Sequence, residues 1–328
     1  MSARLTFHGG RIGDACSRYG GQAEDWLDLS TGINPCPWPG TTCIHPGWQA
    51  LPDPRALALL ERTAADFFGV DPAFCCAVPG SEVALRALAR ILDLPGRHRD
   101  LCYGTHAAAF AQSEAVSPQP ETAPSPSVLV LANPNNPDGE VSPHADLLIA
   151  LDRQEASGGW LIADEAFADC HPAWSIADRV ANGRRLIVTR SFGKFFGLAG
   201  LRLGFVIAPQ FLLDDLRGLL GEWPVNAAAL AFGTSAYADT RWIADTRAQL
   251  PVAAQRLDVL LARHGLSARG ACPLFRLVET DVERDLFEAL ASRQILTRPF
   301  AGHPRLLRFG LPADADGLAR LEAALRHG

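Results

Sequence analysis

Apolar runs of strand length alternate with amphipathic stretches of helix length along the first two thirds of the chain. Leu57, Leu60 and Ala64 recur at the spacing of one helix face, and Gly69 follows as a stop, which predicts a helix that begins near residue 54. The same spacing predicts helices over 83–92 and 143–156. Continuous apolar runs, typical of strands buried on both faces, predict strands over 74–78, 128–132, 160–163, 185–190 and 203–208.

The pattern is less regular in two places. Residues 101–106 are predicted to end a strand, with a helix following from Ala107 to about Ala115. Helical spacing dominates from Pro209 to His264. Beyond it, short strands mix with helices, with a strand predicted over 272–279, a helix over 281–292, strands near 294–297 and 305–310, and a last helix from about 313.

These elements predict an α/β fold. A large domain with a mostly parallel sheet in α/β/α layers is expected over residues 46–225, and a smaller α+β domain over residues 226–328. The N-terminal segment 1–45, which shows little helical period, is expected to pack with the small domain. No internal repeat is visible.

Composition excludes several classes of protein. The 328 residues are 48% hydrophobic and 20% charged, as in ordinary globular enzymes, and the net charge of -6 argues against nucleic acid as a partner. The sequence contains no run of about 18 apolar residues, so no membrane span is predicted. The N-terminus lacks the apolar core of a signal peptide. The eight cysteines are scattered without a C-x-x-C pair, so we expect no metal site and a reducing cytoplasmic location.

One lysine in an unusual setting suggests covalent chemistry. Lys194 lies among aromatic, glycine and aliphatic residues in Ser191–Phe205, where no polar helix face surrounds it. A desolvated lysine has its ammonium form disfavoured, so it can act as an amine nucleophile. Ser191, three residues before it, and Arg202, eight after it, are good phosphate ligands. An amine flanked by phosphate ligands predicts pyridoxal 5′-phosphate as the cofactor.

Polar residues follow several predicted strands. The turn at Gly80–Ser81 precedes a helix, an arrangement that points free backbone N–H groups at an anion, although one Gly-Ser turn is not specific to such a site. Asn136 lies in an Asn- and Pro-rich loop after one strand, which is either an ordinary turn or a ligand site at the strand's C-terminal end. Asp164 directly follows another strand, where a buried carboxylate needs a partner. Glu165 is expected to make a structural contact. Tyr103 either stacks on a flat cofactor ring or covers the core.

Three motifs carry a resemblance to a known family: Asn133–Gly139, Asp164–Phe167 and Ser191–Gly204. In order and spacing the chain resembles fold-type I, aspartate-aminotransferase-like pyridoxal-phosphate enzymes of the histidinol-phosphate aminotransferase branch. The resemblance implies that Lys194 forms a Schiff base with the cofactor and that Asp164 pairs with the pyridinium nitrogen. It further implies a ring-oxygen bond from Asn136, a stacking role for Tyr103, and phosphate binding by Ser191, Arg202 and the backbone at Gly80 and Ser81.

Other features are similar to a narrower family, the L-threonine-O-3-phosphate decarboxylases of cobalamin biosynthesis. Phe167 stands where aminotransferases carry Tyr, and the segments 8–10, 28–35, 222–226, 295–300 and 307–312 resemble that family. The resemblance implies a homodimer, and decarboxylation of the phosphorylated amino acid L-threonine O-3-phosphate to (R)-1-amino-2-propanol O-2-phosphate. The candidate substrate-binding residues are His8, Asn34, Asn136, Arg298 and Arg308. For the two arginines the reason is that forked guanidinium groups suit phosphate and carboxylate.

Two alternatives stay open at this point. One is a transferase that uses histidinol phosphate and 2-oxoglutarate, and the other is a non-catalytic regulatory protein on the same fold. The chain also departs from its wider class: Leu51 replaces a tyrosine that reaches the neighbouring subunit's cofactor, and Gly193 replaces a hydroxyl residue. His106 either lies near the ring edge or merely begins a helix.

Overall fold

The computed structural model describes residues 8–117 and 125–326, which form two compact units. The large unit comprises Pro37–Asn136 and Glu140–Asp245. The small unit comprises the chain up to Cys36, the short stretch Pro137–Gly139, and the chain from Thr246 onward. The domain boundaries expected from the sequence, after residues 45 and 225, stay a prediction.

Helices and strands alternate along the described chain. The α-helices span Ile12–Tyr19 (α1), Pro54–Phe68 (α2), Ser81–Leu92 (α3), Thr105–Ala108 (α4), His144–Ala156 (α5), Phe192–Phe195 (α6), Gln210–Leu220 (α7), Ala227–Ala238 (α8), Thr240–Arg263 (α9), Glu283–Ala291 (α10) and Ala315–Leu325 (α11). Short 3-10 helices span Ala23–Asp25, Pro39–Thr42, Pro72–Phe74, Ala168–Cys170, Pro172–Trp174, Ala177–Arg179 and Ala199–Leu201. The strands span Leu27–Asp28 (β1), Cys75–Val78 (β2), Gly96–Arg99 (β3), Ser113–Val116 (β4), Val128–Ala132 (β5), Trp160–Asp164 (β6), Leu186–Ser191 (β7), Gly204–Ile207 (β8), Ala268–Arg269 (β9), Phe275–Glu279 (β10), Ile295–Leu296 (β11), Arg298–Pro299 (β12) and Leu306–Gly310 (β13).

The large unit is built on a sheet of seven strands among the described residues, in the order β2-β8-β7-β6-β5-β3-β4. Neighbouring strands are parallel, except that β8 is antiparallel to both β2 and β7. Every residue of β5 and β6 is buried, as expected of strands covered on both faces. On one face, Leu85 and Leu88 of α3 and Leu213 of α7 join Val130 and Ile162 in the core.

Local signals explain where the helix α2 begins and ends. The Asp53 side chain accepts a hydrogen bond from the Arg55 N–H, and Pro54 occupies the first helical position, where it loses no hydrogen bond. At the other end Gly69 adopts a left-handed conformation with φ of 70°, which an L side chain rarely adopts. The sequence pattern therefore predicted both ends of this helix.

Side chains protect the outer edge of β2. The Glu61 carboxylate accepts the Ala77 N–H at 2.9 Å and an Arg217 guanidinium N–H at 2.8 Å, while the same guanidinium donates to the Cys75 carbonyl at 3.1 Å. Burial raises the pKa of Glu61, although the Ala77 N–H and Arg217 oppose that shift. This ion pair satisfies two strand-edge groups that would otherwise recruit another strand.

The small unit combines two short sheets with helices. Its described strands form an antiparallel sheet in the order β12-β13-β10-β9, and β1 pairs in parallel with β11. Phe275, Leu277, Leu307 and Phe309 are fully buried there. The N-terminal strand β1 is thus hydrogen-bonded to a strand from the C-terminal third of the chain.

The predicted fold class is confirmed by the mostly parallel central sheet with helices. The prediction for residues 101–115 is wrong in two respects. The strand lies earlier, at Gly96–Arg99, and the helix stops at Ala108, because Ser113–Val116 pairs with β3 at the sheet edge. Sheet pairing overrides the helical preference of the alanine-rich segment. The polar sequence of β3 carries no apolar run that would reveal a strand.

Two absences concern only residues 8–117 and 125–326. No helix in those ranges combines the length and the apolar composition that a bilayer crossing requires. The same ranges hold no cluster of three or more His, Cys, Asp or Glu side chains that could ligate a metal ion.

We predict that Glu61→Ala destabilises the large unit. The substitution removes the acceptor for the Ala77 N–H at an edge strand, so the free energy of unfolding should fall by about 1–3 kcal/mol. Urea unfolding of Glu61→Ala beside the exposed-site control Glu24→Ala measures this difference. Equal losses in both variants would show that the edge contact contributes nothing specific.

Candidate active site

Lys194 lies in the short helix α6, directly after β7. Its neighbours Phe192, Phe195 and Phe196 are fully buried, and Phe196 packs against Phe67, Tyr237 and Trp242. The Lys194 amine itself is half-buried and lies 5.9 Å from the centroid of the Phe167 ring. Lys194 is also the only lysine in the sequence. An aromatic cluster therefore fixes the segment that carries the single primary amine among the side chains.

Gly193 explains one departure of this chain from its wider class. A Cβ at Gly193 would lie 2.5 Å from the Ala199 Cα and 3.0 Å from its nitrogen. The lysine segment folds back on itself so closely that no side chain fits at position 193. The hydroxyl residue that is common at this position in the wider class could be accommodated only if the backbone at Ala199 moved.

Asp164 ends β6 as a buried carboxylate with donors on both oxygens. Its Oδ2 lies 2.9 Å from His106 Nε2, and its Oδ1 accepts from Thr189 Oγ1 at 3.1 Å and from the Ala166 N–H at 3.3 Å. The other ring nitrogen of His106 is buried with no hydrogen-bond partner in the described part of the chain. This geometry fits a ring that carries its proton on Nε2 and donates it to Asp164.

Glu165 points away from Asp164, as strand alternation requires. Its carboxylate accepts from Arg190 at 2.6 Å, from Ser175 Oγ at 2.6 Å and from the Ile176 N–H at 2.8 Å. The expectation that Glu165 makes a structural contact is therefore confirmed.

The three asparagines after β5 have different environments. The Asn133 amide bonds the backbone of Ser142 and Trp174, and the Asn135 amide donates to the Leu101 carbonyl at 3.0 Å. Both side chains are buried, and both hold the loop in shape. Asn136 is the one of the three that is partly exposed. The loop thus presents Asn136 from a backbone that its other two asparagines hold in place.

Several groups that could bind an anion meet where β2 runs into α3. Gly80 has φ of 93°, and a Cβ there would lie 2.8 Å from the Arg202 guanidinium. A Cβ at Gly204 would lie 2.7 Å from the Ser81 nitrogen, and Gly204 pairs directly with Ser191 in the sheet. The free N–H groups of the first turn of α3, the Arg202 guanidinium and Ser191 are therefore neighbours, which suits a phosphate group.

Tyr103 follows β3, and its ring stands perpendicular to the His106 ring with centroids 5.7 Å apart. Its contact with His106 links Tyr103 to Asp164. Within the large unit, the predicted cofactor residues form three sets of neighbours. They are Gly80, Ser81, Ser191 and Arg202; Tyr103 and Asp164, joined through His106; and Phe167 with Lys194. Asn136 follows β5, the strand that pairs with β6.

The small unit carries two buried arginines directly opposite each other. Arg298 of β12 and Arg308 of β13 are cross-strand partners. Burial lowers the pKa of Arg308 well below its usual range, and the charge of Arg298 lowers it further. Arg308 donates to the Ser30 carbonyl at 2.7 Å and its guanidinium lies 5.0 Å from the Phe275 ring centroid. The Asp28 carboxylate opposes this lowering of the Arg308 pKa. The forked N–H donors of the two guanidinium groups have a geometry that suits an anion.

The N-terminal candidates lie beside this arginine pair. A Cβ at Gly9 would overlap the Ser30 carbonyl to which Arg308 donates, so His8 adjoins that contact. Asn34 is buried, and its side-chain oxygen accepts the Cys36 N–H at 3.0 Å. The small unit therefore places the segment of His8 beside Ser30 and Arg308, and Arg308 opposite Arg298, while Asn34 follows Ser30 by four residues in the chain.

Comparison with known proteins gives one consistent result. The sequence profile described as aminotransferase class I and II matches residues 101–321. A threonine-phosphate decarboxylase of a Sinorhizobium species is 41% identical over 99% of this chain and 98% of that protein. The threonine-phosphate decarboxylase of Pseudomonas aeruginosa is 42% identical over 97% of this chain and 96% of that protein.

The chain belongs to the aminotransferase class I and II family. A solved structure, that of the histidinol-phosphate aminotransferase from Sinorhizobium meliloti in complex with pyridoxal 5′-phosphate, has the same fold with a TM-score of 0.82. It is 19% identical and covers 96% of this chain and 93% of its own.

In the present chain, two polar residues that bond Asp164, His106 and Thr189, were not predicted as site residues. Thr189 lies in an apolar strand, where one hydroxyl gives no signal. Of the two interpretations of His106, its place in the first turn of a helix is confirmed, since it is the second residue of α4, where it also bonds Asp164. A position near the edge of the cofactor ring stays a prediction. The spacing of His106, three residues after Tyr103, is a signal that is visible only once the turn of helix at Thr105 is known.

We predict that Gly80→Ala weakens the binding of pyridoxal 5′-phosphate by tenfold or more. The new methyl group would occupy space beside Arg202 and strain a residue with positive φ. Gly69→Ala is a matched control, because Gly69 also has positive φ in the large unit but has open space around its Cα. Titration of both cofactor-free variants, followed by visible absorption, measures the difference. Equal weakening would contradict the proposed anion site.

Proposed function

We propose that this chain decarboxylates L-threonine O-3-phosphate to (R)-1-amino-2-propanol O-2-phosphate, with pyridoxal 5′-phosphate as cofactor, in cobalamin biosynthesis. The observation that carries the proposal is the near-full-length similarity to two curated threonine-phosphate decarboxylases. The buried arginine pair of the small unit supports it further, because the substrate carries both a carboxylate and a phosphate.

The residues of the large unit fit the cofactor. The first turn of α3 at Gly80–Ser81, with Ser191 and Arg202, would hold the phosphate. Asp164 would pair with the ring nitrogen, and Asn136 would donate to the ring oxygen. Tyr103 would stack on the ring, and Phe167 would form a wall of the site beside Lys194. When bound, the cofactor supplies an electron sink for the charge left at the substrate Cα.

The substrate's acidic groups would bind to the small unit. Arg298 and Arg308 are the proposed ligands for the carboxylate and the phosphate, with His8, Asn34 and Asn136 as further substrate contacts. The way in which the acidic groups are held would set the orientation of the bonds at Cα. That orientation would decide between loss of carbon dioxide and loss of a proton.

Lys194 would act twice. Its amine would hold the cofactor covalently before substrate binds, and its ammonium would afterwards deliver a proton to Cα. In that step the bond from Cα to the carboxylate breaks, carbon dioxide leaves, and a Cα–H bond replaces it. The aromatic neighbours of Lys194 would limit access of water to this proton.

A homodimer would complete the assembly. Trp48 is 72% exposed and Leu51 is 68% exposed, and Trp48 lines a surface cavity of about 630 Å³ beside Gly197–Leu201. Exposed apolar groups of this size favour a protein partner, and a second copy is the partner we propose. The eight cysteines are free thiols, which suits the cytoplasm that we propose as the location.

A paired assay tests the reaction. With L-threonine O-3-phosphate we expect carbon dioxide release without any 2-oxo acid. With histidinol phosphate and 2-oxoglutarate we expect little or no glutamate. Glutamate formation without carbon dioxide would identify an aminotransferase instead, and no turnover in either arm would favour a non-catalytic role.

We predict that Lys194→Ala abolishes the visible absorption band that the wild-type protein shows with pyridoxal 5′-phosphate. Lys194→Arg should lose the band as well, because it keeps the positive charge but lacks the nucleophilic amine. Since Lys194 is the only lysine, borohydride treatment of the wild-type holoenzyme should label a single internal peptide. Persistence of the band in Lys194→Ala would refute the assignment.

A further inference from the structure

A buried ion cluster lies on the far side of the strand ends that carry the candidate active site. Glu165 directly follows Asp164 at the end of β6, and Arg190 directly precedes Ser191 at the end of β7. We propose that Glu165, Arg190 and Asp169 form a positioning cluster, which fixes Asp164 and the lysine segment relative to each other for the reaction. The proposal rests on the proposed function and adds residues that do not touch the cofactor.

The cluster is fully enclosed. The side chains of Arg190, Glu165 and Asp169 are 3%, 0% and 1% exposed. Arg190 Nη1 donates to Glu165 Oε2 at 2.6 Å, while Arg190 Nη2 donates to an Asp169 oxygen. The guanidinium also lies 4.6 Å from the Phe68 ring centroid of α2. One arginine therefore ties the loop after β6, the end of β7 and a helix of the large unit together.

Strand alternation gives this cluster its relation to the site. Thr189 points to one face of the sheet and bonds Asp164, so Arg190, the next residue, points to the other face and bonds Glu165. The Glu165 N–H also donates to the Thr189 carbonyl at 2.9 Å. The ends of β6 and β7 are thus joined by side chains on both faces as well as by the backbone, immediately before the chain reaches Lys194.

The energetics favour a positioning role over a stabilising one. Burying ions is costly, and an apolar replacement of similar volume often gives equal stability, so an ion cluster at this depth is weak evidence for stability alone. Burial raises the pKa of Glu165 although Arg190 opposes the shift. Burial also lowers the pKa of Arg190, but Asp169 and Glu165 outweigh it and raise that pKa overall. The fork of the guanidinium imposes a geometry that apolar packing would not.

The test compares Glu165→Gln with Glu61→Gln. Each glutamate accepts one hydrogen bond from a backbone N–H and one from an arginine side chain. The donors are the Ile176 N–H and Arg190 for Glu165, and the Ala77 N–H and Arg217 for Glu61. The two substitutions are therefore chemically matched. Holoenzymes of both variants and of the wild type are assayed for kcat and KM with L-threonine O-3-phosphate. The pH midpoint of the visible absorption of the bound cofactor provides a second readout that does not depend on turnover.

For Glu165→Gln we expect kcat to fall by roughly 10- to 100-fold, as for a displacement of reacting groups on the order of 1 Å, with KM changed by less than about threefold. Its absorption midpoint should shift. Glu61→Gln should leave both quantities at their wild-type values. Arg190→Lys, which keeps the charge, should retain more activity than Arg190→Met.

The proposal is overturned if folded Glu165→Gln holoenzyme matches the wild type in kcat and in absorption midpoint, or if Glu61→Gln changes both to the same extent. Should Glu165→Gln fail to fold, Asp169→Asn, which removes one of the two carboxylates, decides by the same criteria. Failure of the proposed function appears separately, as absence of carbon dioxide release by the wild type, and the absorption comparison then still tests positioning.

Discussion

Buried charge at the ends of two neighbouring strands is the constraint on which the large unit depends. β6 ends in Asp164 and is otherwise apolar, whereas β7 carries Thr189, Arg190 and Ser191 just before the segment of Lys194. Every residue of the two strands is buried except Ser191. A carboxylate in such a place needs donors, and Asp164 obtains them from His106, Thr189 and a backbone N–H. The need to satisfy one carboxylate thus determines the residues that surround it.

Missing side chains shape the candidate site as much as the side chains that are present. Gly80, Gly193 and Gly204 each lie where a Cβ would meet another part of the chain at 2.8 Å or less. The first and last of them let Arg202 and β8 approach the first turn of α3. Gly193 lets the lysine segment fold back on Ala199. Close approach at these glycines therefore brings residues 80–81 and 190–204 together.

The sequence predicted most elements of the large unit, because long apolar runs and helical spacing report burial directly. It failed over residues 101–115, where a polar strand and an edge strand depend on pairing with segments distant in sequence. Among candidate residues, Lys194 and Asp164 were recognisable from their unusual settings. The different tasks of Asn133, Asn135 and Asn136 were not, since hydrogen bonds to Leu101, Ser142 and Trp174 exist only after folding.

The single lysine leaves the protein with few sites for amine-directed chemical modification. Reagents that acylate or cross-link primary amines can modify only the chain terminus and the half-buried Lys194 amine. A protease specific for lysine has one peptide bond to cut, and that bond leads into the fully buried Phe195. Lysine-directed proteolysis would therefore report the opening of one segment, and amine modification would report it with the chain terminus as the sole other target.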